Sequence, residues 1–259
     1  MKEEQIGNQR LIFDNAMESM RGGIWKVDHI ITDPPYEQSL HDIKTKKTRK
    51  LKKDGSTEIQ KIDFQGIDAI RKEFIDIAQD ITEGWFITFC TIEGVARWAD
   101  VINPSKMKYK RACIWVKPDA IPQLNGQGPA QGAECVVTAW CGQGYSKWNG
   151  GGKKGVYTFF TKPKDRDGRH PTEKPVKLMS QLVVDFTQPQ QTILDPFMGS
   201  GTTLVSCQRT GRYGIGIEKS KEYFDIACER VHRAWSQPDM FVDTTLDIVP
   251  IKARQHKIL

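Results

Sequence analysis

The sequence predicts a single α/β domain over residues 1–259, with a mostly parallel, seven-stranded β-sheet and helices on both faces. Short apolar runs that end in an acidic residue recur along the chain, as expected of buried strands whose carboxyl ends reach one edge of a sheet. Segments with helical spacing of apolar residues separate these runs. At 259 residues the chain can bury one large core but is short for two enzymatic domains.

Each strand is predicted from a short run of apolar, β-branched or alternating residues. The seven predicted strands are residues 10–14, 27–36 with its tip, 85–90, 109–116, 135–140, 192–194 and 212–218. The strands 109–116 and 135–140 are expected at the sheet edge, joined by a long polar loop. Residues 1–9 are predicted to be a polar lead-in outside the sheet.

Helices are predicted where apolar residues recur at three- and four-residue spacing. They begin near residues 16 and 202, and they span residues 68–81, 95–102, 175–186 and 220–235. Pro175 suits the first turn of its helix, because proline lacks an N–H that the first turn does not use. The tail, residues 236–259, carries no pattern from which a structure can be inferred.

Composition limits the partners that this chain can have. The formal net charge of +6 and the pI near 8.9 permit a polyanionic partner without demonstrating one. The six cysteines form no CxxC pair, so no zinc site or other metal site is expected. No apolar run is long enough to span a membrane, so no membrane partner is expected. Scattered thiols without a signal peptide suggest a reducing cytoplasm.

A glycine turn follows one predicted strand, in residues 192–204, TILDPFMGSGTTL. The strand ends at Asp195, and Gly199 and Gly201 are able to take positive φ and to let a ligand lie against the backbone. A helix can open at Thr202. A strand, a glycine turn and a helix amino end form a ligand cradle, because the N–H groups and the helix dipole face the space beyond the strand.

A second acid follows Asp195 at about twenty residues, the spacing of a ribose-binding acid in a nucleotide-binding βαβ unit. This acid is Glu218, the last residue of the run RYGIGIE. A carboxylate accepts hydrogen bonds from both ribose hydroxyls, which makes Glu218 the candidate sugar-binding residue. The alternative is an ordinary α/β unit with a loop glycine pair and a solvated glutamate.

A motif far upstream favours the ligand-binding interpretation. Asp33, Pro34, Pro35 and Tyr36 follow another predicted strand. Two prolines fix φ and remove two N–H donors, so backbone carbonyls are held stiffly at the strand end. Asp33 with rigid carbonyls is an acceptor cluster that suits an amino group, and Tyr36 offers a flat face on which an aromatic ring can stack.

Together these motifs resemble the S-adenosylmethionine-dependent DNA amino-methyltransferases, which methylate N6 of adenine or N4 of cytosine. The DPPY tetrapeptide at residues 33–36 looks like their catalytic motif, and residues 195–203 look like their cofactor loop. The segment HPTEKP, residues 170–175, looks like the one that precedes this loop. The catalytic motif comes first, which is the permuted order of the family's β group. The resemblance covers residues 11–235 and implies a Rossmann-like methyltransferase fold.

The resemblance implies S-adenosylmethionine as cofactor and a set of residues around it. They are Asp14, Asn15, Thr172, Lys174, Asp195, Phe197, Gly199, Ser200, Gly201, Thr202 and Glu218. Asp14 would lie beside the cofactor's adenine, although it could equally cap the helix that follows. Thr172 and Lys174 could meet the methionine carboxylate, and Thr172 has a plain helix cap as its alternative. The chemistry requires no metal.

Two segments are candidates for DNA contact. A basic loop insertion at about residues 37–66 carries seven cations near the catalytic motif, which favours a phosphate-contacting arm over a merely solvated loop. These cations are Lys44, Lys46, Lys47, Arg49, Lys50, Lys52 and Lys53. Residues 142–169 are rich in glycine, cations and aromatic rings, as a short DNA-recognition region would be. The alternative is that these rings pack as a small satellite core.

Two further charged residues, Lys117 and Glu134, flank the loop between the predicted edge strands. They are interpreted as ordinary surface residues, with the lining of a base pocket as the alternative. At 28 residues, the segment 142–169 is short for a recognition region. Low or degenerate sequence selectivity is therefore expected.

The sequence thus predicts an enzyme that methylates N6 of a flipped-out adenine in double-stranded DNA. Adenine is favoured because the family's adenine enzymes usually carry Asp at the position of Asp33. The alternatives are an N4-cytosine methyltransferase and a catalytically inactive nucleic-acid-binding module. The resemblance implies a role in restriction–modification or phage modification, in the cytoplasm of a bacterial or phage-infected cell. The oligomeric state stays open, a homodimer included.

Overall fold

The computed structural model describes residues 2–22, 26–35, 49–51, 57–59, 66–122, 126–161 and 173–237. Its centre is a nine-stranded sheet in the spatial order β1-β2-β11-β10-β3-β6-β8-β7-β9, and β4 and β5 pair separately as an antiparallel hairpin. The strands are β1 Lys2–Ile6, β2 Gln9–Phe13, β3 His29–Thr32, β4 Arg49–Leu51, β5 Thr57–Ile59, β6 Trp85–Cys90, β7 Lys108–Val116, β8 Ala133–Trp140, β9 Val156–Thr158, β10 Thr192–Asp195 and β11 Tyr213–Glu218.

Five neighbouring strands, β2, β11, β10, β3 and β6, run parallel. β8 runs antiparallel to both β6 and β7, and β9 runs parallel to β7. The predicted α/β class with a mostly parallel sheet is confirmed, as are all seven predicted strands. β7 and β8 are both interior strands, however, and not the edge strands that were predicted, because β9 lies outside β7.

The predicted number of strands is wrong, because one short strand is added at each edge of the sheet. β1 falls in the predicted polar lead-in and pairs antiparallel with β2 through a turn at Gly7, which has φ 55°. Only Ile6 of β1 is buried, so the strand carries no apolar alternation by which it could be recognised. β9 has only three residues and lies within the glycine-rich segment.

Six helices occur in the described part of the chain. They are α1 Ala16–Gly22, α2 Arg71–Ile81, α3 Gly94–Ile102, α4 Val176–Phe186, α5 Thr202–Thr210 and α6 Lys221–Ser236. A 3-10 turn at Ile67–Ala69 precedes α2, so the predicted helix over residues 68–81 begins three residues later. None of these helices combines the length and the hydropathy needed to cross a bilayer.

The sheet separates two layers of helices, as predicted. Cys135, Val137 and Ala139 of β8 pack on one side with α1, α2 and α3, in a cluster that includes Phe74. Val136 and Trp140 of the same strand pack on the other side with α4. α5 and α6 continue that second layer towards β2. Alternation along a strand buried on both faces thus produces two cores from one sheet.

The sheet topology also determines where a ligand would bind. The chain runs from β10 outward to β11 on one side and from β3 outward to β6 on the other, so the strand order reverses between β10 and β3. Open α/β sheets bind ligands at such a switch point, in the crevice beyond the carboxyl ends of the strands. Asp33 and Asp195 lie at the carboxyl ends of these two strands.

Candidate active site

Asp195 holds the two central strands together at their tips. Its Oδ1 accepts hydrogen bonds from the Thr32 hydroxyl at 2.7 Å and from the Phe197 N–H at 3.1 Å. Its Oδ2 accepts one from the Thr203 hydroxyl at 2.6 Å. Burial raises the pKa of Asp195 to about 6, and the three hydrogen bonds limit the rise. The carboxylate thus serves protein donors, and a direct contact with the cofactor stays a prediction.

The glycine turn after β10 has the left-handed backbone that the sequence indicates. Gly199 has φ 51° and Gly201 has φ 78°. A Cβ at Gly201 would also lie 2.9 Å from the Cβ of Ala227 on α6. Gly201 is therefore required for the close approach of α6, as well as for the turn that opens α5.

Glu218 ties β11 to this turn. The Gly199 N–H donates to its Oε2 at 3.0 Å, and the Ser220 N–H donates to its Oε1 at 2.7 Å. Each carboxylate oxygen can accept a further hydrogen bond, which is the capacity that two ribose hydroxyls require. Burial raises the pKa of Glu218, and the backbone donors oppose that rise.

Asp14 and Asn15 lie at the tip of the adjacent strand, β2. The Asp14 N–H donates to the Glu218 carbonyl at 3.1 Å, which brings the tips of β2 and β11 together. Asn15 caps α1, since its Oδ1 accepts from the Met17 N–H at 2.9 Å. The Asp14 carboxylate accepts from the Ser19 hydroxyl at 2.5 Å, a hydrogen bond that lowers the pKa of Asp14. Both residues thus support the start of α1 at the edge of the predicted cofactor site.

Ser200 and Thr202 direct their side chains inward, towards Arg230 of α6. The Arg230 guanidinium donates to the Ser200 carbonyl and hydroxyl at 2.6 and 2.7 Å, and to the Thr202 hydroxyl at 3.2 Å. It also pairs with Glu173 at 2.7 Å. Sequence reasoning missed Arg230, because a single arginine in an amphipathic helix gives no signal of an inward position. This buried residue supports the predicted cofactor loop from behind.

Phe197 packs its ring edge-on against Phe74 of α2, with centroids 5.4 Å apart and an interplanar angle of 70°. It is partly buried against the main core and partly exposed at the glycine turn. The side chain is therefore fixed by α2 on one side, which leaves the remainder of its surface for a cofactor.

Asp33 has one engaged and one unengaged oxygen. Lys174 Nζ donates to Oδ2 at 2.5 Å, whereas Oδ1 is buried and has no hydrogen-bond partner within the described residues. Burial raises the pKa of Asp33, and the Lys174 ammonium opposes the rise. The carbonyl of Pro35 accepts from the Ile67 N–H at 3.3 Å, so the Pro34 carbonyl is the candidate acceptor next to Asp33.

Lys174 lies among charged neighbours that the sequence does not associate with it. It binds Asp33 and lies 3.4 Å from Glu134 Oε2, and its contact with the cofactor's methionine carboxylate stays a prediction. Glu134 in turn bonds Lys117. The interpretation of Lys117 and Glu134 as ordinary surface residues is wrong, since their side chains are only 13% and 11% exposed. Sequence alone missed this, because the contact joins segments that are distant along the chain.

Several predicted residues lie outside the described residues. They are Tyr36, Lys44, Lys46, Lys47, Lys52, Lys53 and Thr172. Arg49 and Lys50 belong to β4, which pairs with β5, so this part of the basic insertion is a hairpin strand and not a loop.

The aromatic residues of the segment 142–169 divide between two roles. Trp148 packs on Phe186 with ring centroids 4.8 Å apart, and Tyr157 is buried, with its hydroxyl 3.2 Å from Asp185. These rings pack down, as the alternative interpretation expected, but they join the large core on the α4 side of the sheet and do not form a separate satellite core. Tyr145 and Phe160 are both exposed, and Phe160 remains a candidate for contact with a base.

The first half of that segment lies far from Asp33. The Asn149 N–H donates to the carbonyl of Asp185, which is near the end of α4. The indole of Trp85, the first residue of β6, donates to the Lys147 carbonyl. Both contacts are at the amino ends of the parallel strands, opposite the edge that carries the catalytic motif. A recognition role is thus restricted to residues from about 156 onward.

Comparisons with known proteins agree with this geometry. The family described as DNA methylase, N6_N4_Mtase, matches residues 27–229. The type II methyltransferase M.HinfI of Haemophilus influenzae is 35% identical over 54% of this chain and 44% of its own length. The crystal structure of the M1.HpyAVI–SAM complex gives a TM-score of 0.66 at 26% identity, covering 86% of this chain and 98% of that one.

A further similar structure is the PvuII DNA methyltransferase, described as cytosine-N4-specific, with a TM-score of 0.65 at 15% identity. It covers 94% of this chain and 90% of its own, and at this identity the likeness concerns the fold alone. The chain spans 44% of the length of M.HinfI and 24% of that of two other curated type II methyltransferases.

Proposed function

Since this chain belongs to the N6_N4_Mtase family of DNA methylases, we propose that it methylates the exocyclic N6 amine of adenine in double-stranded DNA. The observation that carries the proposal is the buried Oδ1 of Asp33, an acceptor without a partner within the described residues. Asp33 directly follows β3, the neighbour of the strand that leads into the glycine turn. An amino group placed there would satisfy an oxygen that is otherwise costly to bury.

The residues at the sheet edge fit S-adenosylmethionine as the cofactor, which supplies an electrophilic methyl group when it is bound. Glu218 keeps acceptor capacity for ribose hydroxyls, and the glycine turn lets a ligand lie close to the backbone. Asp14 at the neighbouring tip lies where the adenine of the cofactor is expected. The hydrogen bonds of Asp195 with Thr203 and of Arg230 with the Ser200 carbonyl support the turn.

The residues of the chain act on the target amine by orientation. An exocyclic amine is a poor nucleophile, because its lone pair is conjugated with the ring. Hydrogen bonds from the amine to Asp33 Oδ1 and to the Pro34 carbonyl would favour a pyramidal nitrogen whose lone pair is free to attack. Holding two reactants in line can contribute up to about 7 to 11 kcal/mol in favourable cases. Asp33 need not be a strong base, because the amine becomes acidic only as the methyl group arrives.

A paired base cannot reach this site, so the target nucleotide is flipped out of the duplex at a cost of a few kcal/mol. Tyr36, the residue after Pro35, is the candidate stacking face for the flipped base. The lysines and arginine of the basic insertion would hold the phosphates on either side.

Adenine is proposed over cytosine because Asp33 occupies the position where the family's cytosine enzymes more often carry Ser. Both bases present an amine to Oδ1, so the geometry of Asp33 alone is compatible with either. The experiment is transfer of a labelled methyl group to DNA, followed by digestion and chromatography of the nucleosides. N6-methyl-2′-deoxyadenosine is expected; N4-methyl-2′-deoxycytidine would contradict the choice of base, and no transfer to any DNA would contradict the activity.

We also propose that the target sequence is short or degenerate. Reading several base pairs takes a rigid element that presents several side chains to base edges, each good bidentate contact giving about 1 to 3 kcal/mol of discrimination. Within the described residues, the glycine-rich segment 142–155 lies at the far end of the sheet. Sequencing of methylated DNA at single-molecule resolution tests this, because one fully modified site of six or more base pairs would refute it.

A further inference from the structure

Four side chains of alternating charge form a row that starts at Asp33. Lys174 Nζ lies 2.5 Å from Asp33 Oδ2 and 3.4 Å from Glu134 Oε2, and Glu134 Oε1 bonds Lys117. All four side chains are at most 22% exposed. We call these four residues the charged row. Burying charges is costly unless each is compensated, and in this row every charge has at least one neighbour of opposite sign.

The charged row joins four separate elements. Asp33 follows β3, Lys174 precedes α4, Glu134 is in β8 and Lys117 follows β7. Aromatic rings hold both ammonium groups: Phe89 lies 5.1 Å from Lys174 Nζ, and Trp115 lies 4.8 Å from Lys117 Nζ. Cation–π contacts of this kind restrict an ammonium group without neutralising it. The positions of the two lysines are therefore built by the fold.

We propose that Glu134 and Lys117 are positioning residues of the methyl-transfer site. Glu134 holds Lys174 in contact with Asp33 Oδ2, and Lys117 offsets the charge of Glu134, so that Asp33 stays ionised and Oδ1 is left to accept a hydrogen of the target amine. The identity of that amine rests on the proposed function. The electrostatic coupling of the four charges in the row does not depend on the proposed function.

The signs of the coupling follow from Coulomb's law in a site of low dielectric constant. Lys174 and Lys117 favour the carboxylate of Asp33 and lower its pKa, whereas Glu134 raises it. Asp195 is the other acid nearby, on the adjacent strand. Lys117 balances Glu134, so without Lys117 the row would carry a net negative charge and Asp33 would hold its proton more strongly.

The first test measures the protonation of Asp33 without catalysis. Wild type and the variants Glu134→Gln, Lys117→Met and Lys174→Met are each compared with the same protein carrying Asp33→Asn, by denaturant unfolding over a range of pH. The pH dependence of each difference reports the pKa of Asp33 in that background, since only Asp33 differs. The pH at the midpoint of this dependence, which follows the pKa of Asp33, is expected to rise in the order Glu134→Gln, wild type, Lys117→Met and Lys174→Met.

A double variant isolates the role of Glu134. In Lys174→Met, the charges of Asp33 and Glu134 face each other without an ammonium between them. Adding Glu134→Gln removes the like charge, so the midpoint is expected to fall back below that of Lys174→Met alone. Glu229→Gln, in an exposed pair with Arg233, is the matched control and should leave the midpoint at the wild-type value. If Lys174→Met does not fold, the opposite shifts of Glu134→Gln and Lys117→Met test the same coupling.

The second test uses the acid limb of the pH profile of kcat/KM for methyl transfer to DNA, which should shift in the same order. A general loss of packing would lower activity at every pH but would not move the limb in opposite directions for Glu134→Gln and Lys117→Met. The expected order in unfolding with no methyl transfer to any DNA would support the charged row and refute the proposed activity. Methyl transfer with coincident midpoints in all variants would overturn the charged row and leave the activity standing.

Discussion

The hydroxyl of Thr32 donates a hydrogen bond of 2.7 Å to Oδ1 of Asp195, and so joins the strand of the catalytic motif to the strand of the glycine turn. The two residues are 163 positions apart in the chain. Asp33 follows Thr32 directly. The position of the acceptor for the amine and the position of the cofactor turn are therefore set by one buried contact.

Thr32→Val should lower the free energy of unfolding by about 1.5 to 3 kcal/mol at pH 8, because it removes a hydrogen bond to a buried charged group without changing the side-chain shape much. Denaturant unfolding measures the change. Thr88→Val is the matched control: Thr88 pairs with Thr32 in the sheet register and is equally buried, but its hydroxyl makes only a 3.4 Å contact with the Phe89 carbonyl. Equal losses for both variants would contradict a special role for the Thr32 contact.

The free energy of unfolding should depend on pH through Asp195. Its pKa is raised from 3.8 to about 6 by burial, so the folded protein binds the proton more tightly than the unfolded chain. Stability from this group is therefore full below about pH 4 and is lost as the pH rises to about 6. A shift of this size corresponds to about 3 kcal/mol. The stability of wild type relative to Asp195→Asn should fall across this window; a difference independent of pH would show that Asp195 titrates normally.

Asp33→Ala should abolish methyl transfer and leave the affinity for S-adenosylmethionine within a few fold. The reason is that Asp33 addresses the target amine, whereas Glu218 and the glycine turn address the cofactor. Methyl-transfer assays and calorimetric titration measure the two effects separately. Retained turnover with lost cofactor binding would reverse the assignment of roles.

Glu218→Ala should weaken cofactor binding by about 1 to 3 kcal/mol, since it removes a charged acceptor and frees the Gly199 N–H that the acid now holds. Glu222→Ala, in the first turn of α6, removes the same charge from a nearby position and serves as the control. Calorimetric titration measures both affinities. Equal affinity of the two variants for S-adenosylmethionine would indicate that the ribose binds elsewhere in the site.

The basic insertion should carry affinity that does not depend on DNA sequence. Replacing four of the cations between Lys44 and Lys53 with Gln should reduce the slope of log K against log salt by about 3 to 4, if each contacts a phosphate. Replacing Lys26, Lys72, Lys106 and Lys221 with Gln removes the same charge elsewhere. The slope of log K against log salt should then decrease less. Equal slopes for the two variants would indicate that only net charge matters.

The sequence predicted those parts of the molecule that depend on local pattern. All seven central strands and the positive φ of Gly199 and Gly201 follow from apolar runs and from the turn between them. β1 was missed because its register with β2 buries only Ile6, so the pairing depends on the hairpin at Gly7 and on backbone hydrogen bonds. Backbone hydrogen-bonding groups are the same in every sequence, so a strand that depends on them gives no sequence signal.

The site was predicted in outline, and its connections were not. Asp33 and Glu218 are acids at strand ends, a local property that the sequence displays. The contact of Lys174 with Asp33 and the contact of Arg230 with Ser200 join segments far apart in the chain, and their side chains are common surface types. The inward orientation of Lys174 and Arg230 depends on the tertiary structure and cannot be read from the local sequence.

The central pairing of β3 with β10 also has a consequence during synthesis. β3 is complete when Thr32 has been made, but its neighbour ends only at Asp195, so β3 waits for roughly 10 to 30 s at ribosomal speeds of 5 to 20 residues per second. Throughout this time Ile30 and Ile31 form an unpaired strand edge, the kind of surface on which nascent chains aggregate. Covering this edge on the ribosome should therefore raise the yield of folded protein without any change in the stability of the finished sheet.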